Sequence, residues 1–454
     1  MKKLLLSAAL LAGNLTAFSQ HNDSVTIRNI ANQVLLNGRC YEDLRVLCKT
    51  IGHRLSGTPQ AAKAIEWGQQ ALTQAGADKV WLQAVDVPKW VRGKEHLRLQ
   101  YGNGKFKEVR MTSLGNTVGT DGKPMTAPVL MVYNMDEFAK LTKEQVQGKI
   151  VYFNYRFKQD LVNTFDGYGD ASKYRWMTQN LASAKGAAGV IIRSISTGVD
   201  DVPHTGSLRY ADSVKAIPSV AVGNFTADEM EKQCKAGAVN AQIESECHMD
   251  GTVRSYNVIG EIKGTEQPEK IVLVGGHLDS WDVGEGAHDD GSGCVQSIEV
   301  IRTLKALGIK PRYTVRAVLF MNEENGLKGG FAYADSAKAK KEQHLLAIES
   351  DAGGFSPRGI GMDMPEDKKE KIRAYRKLFL PYGVYDFEQE EGGPDLTPLH
   401  WQKVPVAGLI PDAQRYFDYH HTPNDVFEAV NHRELKMGAV TLTSLVYLVS
   451  KYGL

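Results

Sequence analysis

The 454-residue chain lacks an excess of charge of either sign, since 54 lysines and arginines face 53 aspartates and glutamates for a formal charge of +1. A surface without a cationic surplus has no electrostatic ground for holding a polyanion, so nucleic acid is excluded as the expected partner. Long apolar runs are also missing. The run at residues 4–13 covers about 10 residues, against the roughly 20 that a helix needs to cross a bilayer, so no membrane span is expected. Cysteine is sparse: Cys40, Cys48, Cys234, Cys247 and Cys294 make an odd count with no zinc-ribbon spacing. An odd count leaves at least one thiol outside any intrachain pairing, and only the pairs 40–48 and 234–247 stand out for an oxidising compartment. No internal repeat or low-complexity tract is present, which removes solenoids and disordered segments from consideration.

What is present is an ordinary globular composition, 42% hydrophobic with 44 glycines, at a length that predicts about three domains. The expectation is a soluble enzyme. Lys2 and Lys3 precede the apolar run, and Ala17 and Ser19 occupy the small positions ahead of a cleavage point. This is the pattern of a secretory leader over residues 1–19, giving a mature chain from Gln20 that is secreted or periplasmic. Loss of the two leader lysines turns the charge to −1, so neutrality survives.

Apolar residues recur at helical spacing over 23–49 and again over 61–75, flanking a turn at 52–59. A texture rich in Gly, Thr, Asp and Pro at 115–128 reads as a boundary. Beyond it, strands at 129–133, 150–155 and 190–195 alternate with helices at 136–147, 176–188 and 226–236, an α/β module without clustered His, Asp or Glu. That module suits a lid, a spacer or an interaction domain. After residue 256 the strands are short and wholly apolar (257–262, 271–275, 314–321, 345–349, 404–410), with helices at 292–307, 327–339, 365–380 and 434–452. Such runs are the sign of parallel βαβ units. The predicted fold class is therefore α/β, with a mostly parallel central sheet and helices on both faces. Its domain is built from residues 20–114 and 251–454, with an inserted α/β domain at 115–250.

In an open parallel sheet the ligand site lies beyond the carboxyl ends of the strands, and here each strand end offers an imidazole or a carboxylate. The 271–275 strand runs into His277 and Asp279, and the loop GGHLDSWDVGEGAHDDGSG continues to Asp289 and Asp290. Glu323 and Glu324 follow the next strand, Asp351 the one after, and His420 and His421 follow the last. Imidazole with carboxylate suits zinc. A single catalytic zinc uses three protein ligands, whereas five ligands with one carboxylate shared would serve two ions about 3.5–4 Å apart, bridged by that carboxylate and a water. The remaining glutamate of the 323–324 pair then has a task as general base, and Asp279 is placed to hold the imidazole of His277 in one tautomer.

These segments, H-x-D, G-A-x-D-D-G-S-G, N-E-E, E-S-D and Y-H-H-T-P-N-D in that order, resemble the co-catalytic zinc exopeptidases, and within them the plasma glutamate carboxypeptidase branch. The resemblance covers nearly the whole mature chain. It implies that His277 and Asp351 hold one zinc, Glu324 and His421 the other, and that Asp289 bridges them. Glu323 becomes the general base, Asp279 the partner of His277, and His420 a group that hydrogen-bonds the tetrahedral intermediate. The insert corresponds to a protease-associated domain, and the relatives' habit is a homodimer.

The implied activity is hydrolysis of dipeptides or short peptides through the bridging water. The alternatives are a di-zinc hydrolase of another amide, of aminoacylase or glutaminyl cyclase type, and a non-catalytic receptor-like relative. The second is disfavoured because no ligand is missing. No basic cluster marks a glutamate-selective pocket. Of the other polar residues, His288 is expected in solvent, and His53, His204, His248, His344 and His400 on the surface or in the core. Asp290 is expected to cap the helix that begins at Ser292, residues 388–391 to form an exposed face, and the loop 392–398 to line the substrate pocket.

Overall fold

The computed structural model describes residues 22–454, so the expected leader and its cleavage point lie outside the described residues. One sheet has seven strands: β1 (Lys79–Val91), β2 (His248–Ile262), β3 (Gln267–His277), β4 (Tyr313–Phe320), β5 (Gln343–Glu349), β6 (Pro357–Asp363) and β7 (Val406–Pro411). Their order in space is β1, β2, β4, β3, β5, β7, β6. The inner strands β4, β3, β5 and β7 are parallel, whereas β1, β2 and β6 join antiparallel. The sheet is thus mixed, which corrects the expectation of a mostly parallel one. A parallel crossover needs a dozen or more residues. The link at 263–266 is far shorter, so β2 must run against β3.

Strand alternation divides the apolar side chains of the inner strands between two helical layers. Val272 and Val274 of β3 pack with Leu72 of α1 (Pro59–Gln74), Ile298 of α2 (Ser292–Ala306) and Leu445 of α4 (His432–Tyr452). Ile271 and Leu273 turn the other way, toward Tyr333, Ala334 and Ala337 of α3 (Lys328–Lys340). Every residue of β4 is buried, as a strand covered on both faces requires.

The second sheet has eight strands and runs from Glu95 to Ser245. The boundary expected at 115 falls inside it, because Glu95–Tyr101, Lys107–Val109 and Met111–Ser113 pair into this sheet. The loop-like texture at 115–128 is a connection within the module rather than a linker to it. The module hangs on the β1–β2 pair, whose register runs from Lys79 opposite Glu261 to Val91 opposite His248.

Smaller departures have local causes. The helical pattern at 23–49 breaks near Gly38, where a Cβ would stand 2.3 Å from the Val34 carbonyl oxygen. The helix expected over 365–380 divides into Glu366–Arg373 and Arg376–Phe379. All five cysteines are free thiols, so neither candidate disulfide forms. Among the described residues no helix is long and apolar enough to cross a membrane.

The strand ends are brought together by close backbone approach at glycine. At Gly293, in the first turn of α2, a Cβ would lie 1.8 Å from the Ser350 carbonyl oxygen and 2.5 Å from the Asp290 carboxylate. Gly293→Ala is therefore expected to destabilise the protein by about 3 kcal/mol or more, the upper range for overpacking. Gly169, whose Cβ would meet nothing within 4 Å, should tolerate alanine with no loss, or a gain of up to about 1 kcal/mol. Urea unfolding of both variants checks this, and equal midpoints would contradict the close approach.

Candidate metal centre

The ends of the parallel strands converge on one buried cluster. His277 closes β3, Glu323 and Glu324 follow β4, Asp351 follows β5, and His420 and His421 lie in the segment after β7. Asp289 reaches the cluster from the loop ahead of α2, where the Asp289–Asp290 peptide is cis. Asp289 offers one oxygen to each side: Oδ1 is 3.1 Å from His277 Nε2, and Oδ2 is 3.2 Å from His421 Nε2. Asp351 Oδ1 stands 3.2 Å from His277 Nε2, and Glu324 Oε2 stands 3.1 Å from His421 Nε2.

The tautomers are set from behind. His277 Nδ1 is 3.0 Å from the Asp279 carbonyl oxygen, and His421 Nδ1 is 3.2 Å from the Thr205 carbonyl oxygen. A carbonyl oxygen only accepts, so each Nδ1 carries a hydrogen, and once a ring is neutral its Nε2 presents a bare lone pair. Those lone pairs face carboxylate oxygens, acceptor against acceptor, and a cation satisfies both. The donor set of imidazole nitrogen and carboxylate oxygen fits zinc.

Three further carboxylates hold backbone amides, and one of them, Asp290, also lies within 4.8 Å of the ligand atoms of His277 and Asp351. Asp279 Oδ1 accepts from the amides of Asn322 (2.6 Å) and Glu323 (3.1 Å), pinning the turn that carries the two glutamates. Its expected contact with His277 is made by its carbonyl and not by its carboxylate. Asp290 accepts from the amides of His277 (3.0 Å) and Gly293 (2.8 Å), so it does steady the start of α2. Asp425 accepts from the amides of His288 (2.7 Å) and Asp289 (3.1 Å). Arg54, fully buried, donates to the carbonyls of Leu278, Glu285 and Gly286 and fixes the intervening loop. Sequence reasoning missed Asp425 and Arg54 because their partners are backbone atoms, which leave no residue-type signal.

His420 stacks on His421 with ring centroids 3.5 Å apart, and its Nε2 is 3.8 Å from Asp289 Oδ2. His288 is not in solvent. It is fully buried, stacked on Phe355 at 4.1 Å, and accepts from the Gly354 amide at Nδ1. His204 is buried among the same elements.

A cleft of about 1220 Å³ opens above the cluster and is lined by Asp289, Glu323, Glu324, Asp351, His420 and His421. Gly393 and Pro394 line it too, as expected of their loop, while Glu388, Glu390 and Glu391 are exposed. The far wall belongs to the inserted module. That module grips the segment carrying His421 through Thr164 Oγ1 to the Ala413 carbonyl (2.9 Å), Ser196 Oγ to the Phe417 carbonyl (3.0 Å) and Thr197 Oγ1 to Asp418 (2.7 Å).

A family model for peptidase family M28 matches residues 257–446. Carboxypeptidase Q of Homo sapiens is 33% identical over 425 residues, covering 93% of this chain and 88% of the human protein. The chain belongs to peptidase family M28. It is a metallo-exopeptidase. The M28 precursor from Shewanella amazonensis is 31% identical, superposes with a TM-score of 0.90 and covers 95% of this chain and 97% of its own. The aminopeptidase YwaD of Bacillus subtilis is 24% identical and covers 98% of this chain and 94% of its own.

Crowding of buried acids around two imidazoles shapes the electrostatics of this M28 site. Burial pushes Asp351 up to about 6 and raises Glu323 and Glu324 well above the usual carboxylate range. Burial opposes charge on His277, but the adjacent Asp351 and Asp289 outweigh it and raise that imidazole. Burial also disfavours ionised Asp289, yet hydrogen bonds from His277 and His421 hold it well below the usual range. Burial lowers His421. Metal binding needs ionised carboxylates and neutral imidazoles, and a group with a raised pKa carries a proton below that pKa. Metal entry therefore displaces protons, and affinity falls as pH falls through about 6. Calorimetric zinc titrations at pH 8, 7 and 6 should show roughly a tenfold weakening per pH unit for each proton displaced. An affinity independent of pH over that span would contradict the buried-acid account.

Proposed function

We propose that the enzyme is a secreted exopeptidase that hydrolyses dipeptides or short peptides with two zinc ions per chain. The observation that carries this reading is the division of Asp289, with one oxygen toward the His277–Asp351 pair and the other toward the His421–Glu324 pair. His277, Asp351 and Asp289 would hold one ion, and His421, Glu324 and Asp289 the other. When bound, zinc would supply Lewis acidity that polarises the scissile carbonyl and lowers the pKa of water.

The chain's own residues do the rest. Glu323 lines the cleft beside the cluster, its Oε2 4.0 Å from His277 Nε2, and its raised pKa suits a base that takes a proton from water at that oxygen and returns it to the leaving amine. Asp279 keeps Glu323 aimed through the backbone amide it binds. His420 lies at the cleft wall, where a ring nitrogen could meet the tetrahedral intermediate. The insert, read as a protease-associated domain, closes the far wall. The leader pattern supports export to the periplasm or medium, and the homodimer implied by the resemblance belongs to the same proposal.

Glu323→Gln should keep zinc content unchanged and lose about two to four orders of magnitude in kcat, the usual scale for a missing general base. Asp289→Ala should instead lose zinc on dialysis. Elemental analysis together with turnover on a dipeptide panel separates the two roles. Near wild-type turnover in the first variant, or two zincs per chain in the second, would sink the corresponding assignment.

A further inference from the structure

The two metal-facing imidazoles are oriented from different parts of the chain. His277 is held within the peptidase domain: its Nδ1 meets the Asp279 carbonyl, its amide donates to Asp290, and its carbonyl accepts from the Cys294 thiol at 3.0 Å. His421 leans on the insert instead. Its Nδ1 stands 3.2 Å from the Thr205 carbonyl oxygen, and its own carbonyl accepts from the Thr205 amide at 3.0 Å. Arg175, buried in the short insert helix Lys173–Trp176, brings a competing donor to within 3.5 Å of the same Nδ1. Among the described residues no carboxylate lies within 4.0 Å of the Arg175 guanidinium nitrogens, so no counter-charge draws that donor away.

These two neighbours ask for opposite tautomers. The Thr205 carbonyl places the ring hydrogen on Nδ1 and leaves Nε2 bare toward Asp289 and Glu324, whereas a guanidinium donating to Nδ1 places the hydrogen on Nε2 and closes that nitrogen to a metal. The position of Thr205 decides between them. Its Oγ1 donates to the Ser113 carbonyl at 2.8 Å and accepts from Arg92 at 3.4 Å. Arg92 follows β1 where the chain enters the insert. Its Nε and one terminal nitrogen donate to the two oxygens of Asp282 at 2.9 and 2.6 Å, and the other terminal nitrogen donates to the Ser113 carbonyl at 2.7 Å and Thr112 Oγ1 at 2.8 Å. Asp282 in turn follows Trp281, whose amide donates to Glu324 Oε1 at 3.2 Å and whose ring lies 5.8 Å from that of His421. One planar guanidinium thus ties the loop behind Glu324 to the segment behind His421, and a two-pronged pair of this kind fixes orientation as well as distance.

We infer that Arg92 is a positioning residue for the His421–Glu324 metal site: by clamping Asp282 and the Thr205 segment together it keeps His421 in the tautomer that accepts a metal, so that tight filling of this site depends on the docked insert while the His277–Asp351 site fills without it. This rests on the two-ion reading of the centre.

The test follows zinc on the loaded full chain as graded chelator withdraws it, in backgrounds that keep one ion each. Asp351→Asn keeps the His421 side, and Glu324→Gln keeps the His277 side. Adding Arg92→Met should weaken zinc by about tenfold or more in the Asp351→Asn background, the scale for removing support behind a metal ligand, and by less than about threefold in Glu324→Gln. Arg92→Lys should restore part of the loss. Nitrogen NMR of the imidazoles in the chelator-stripped chain supplies a signature that a general loss of stability would not move. The wild type should carry the His421 hydrogen on Nδ1, and Arg92→Met should shift it to Nε2 with Nδ1 of His277 still protonated. If Arg92→Met fails to fold, Thr205→Val, which removes only the Oγ1 bonds, supplies the second variant and should move both readouts the same way by less. Equal weakening in the two backgrounds, or a His421 hydrogen that stays on Nδ1 in Arg92→Met, would overturn the assignment. A single zinc per wild-type chain would strike the two-ion reading, and the imidazole spectra would still decide the role of Arg92.

Discussion

The arrangement depends on one carboxylate shared by two imidazoles. Asp289 faces His277 with one oxygen and His421 with the other, and around this axis Glu323, Glu324 and Asp351 crowd in a buried space. Mutual repulsion and lost hydration would scatter such a group if the side chains were free to move. They are not free, because the backbone beneath them is tied down by acids that accept from its amides. Asp279 holds the Asn322–Glu323 turn, Asp290 holds His277 and Gly293, and Asp425 holds His288 and Asp289. The strain is visible locally in the left-handed backbone of Asn322 (φ 73°) and His421 (φ 61°), a region that residues with side chains seldom adopt. Binding energy from a cation is what such preorganisation awaits.

The inserted module is part of this centre and not an appendage. Its Thr205 carbonyl fixes the tautomer of His421, and the Thr205 amide donates back to the His421 carbonyl at 3.0 Å. Tyr168 and Phe165 pack on Phe417, just ahead of the two histidines. The cleft therefore has one wall from each sheet. An element that reads on sequence as a lid, a spacer or an interaction domain supplies the hydrogen-bond acceptor that orients one metal-facing imidazole and a buried guanidinium beside it.

Much of the fold was legible because it rests on local patterns. The apolar runs of β3, β4 and β5 and the helical spacing of α2 and α4 are set by burial on both faces and on one stripe respectively. What went unread depends on partners remote in sequence. Strands 95–101 and 111–113 join the insert's sheet through strands more than a hundred residues away. The antiparallel edges β1 and β6 carry no pattern that separates them from parallel strands. His288 looked like a solvent-facing neighbour of Asp289, but Asp425 clamps the His288 amide and the ring stacks inward on Phe355.

By itself the sequence determined which chemistry is possible: imidazoles and carboxylates at the ends of successive strands, in an order that matches one peptidase family. Residue type and order along the chain carry that information because ligand chemistry belongs to the side chain. Only the tertiary structure decided which Asp289 oxygen faces which histidine, which acids hold backbone amides, and that Arg175 is left without a counter-charge at the cleft wall. Those outcomes are set by distances of about 3 Å between segments far apart in the chain, and by carbonyls and amides that every residue possesses.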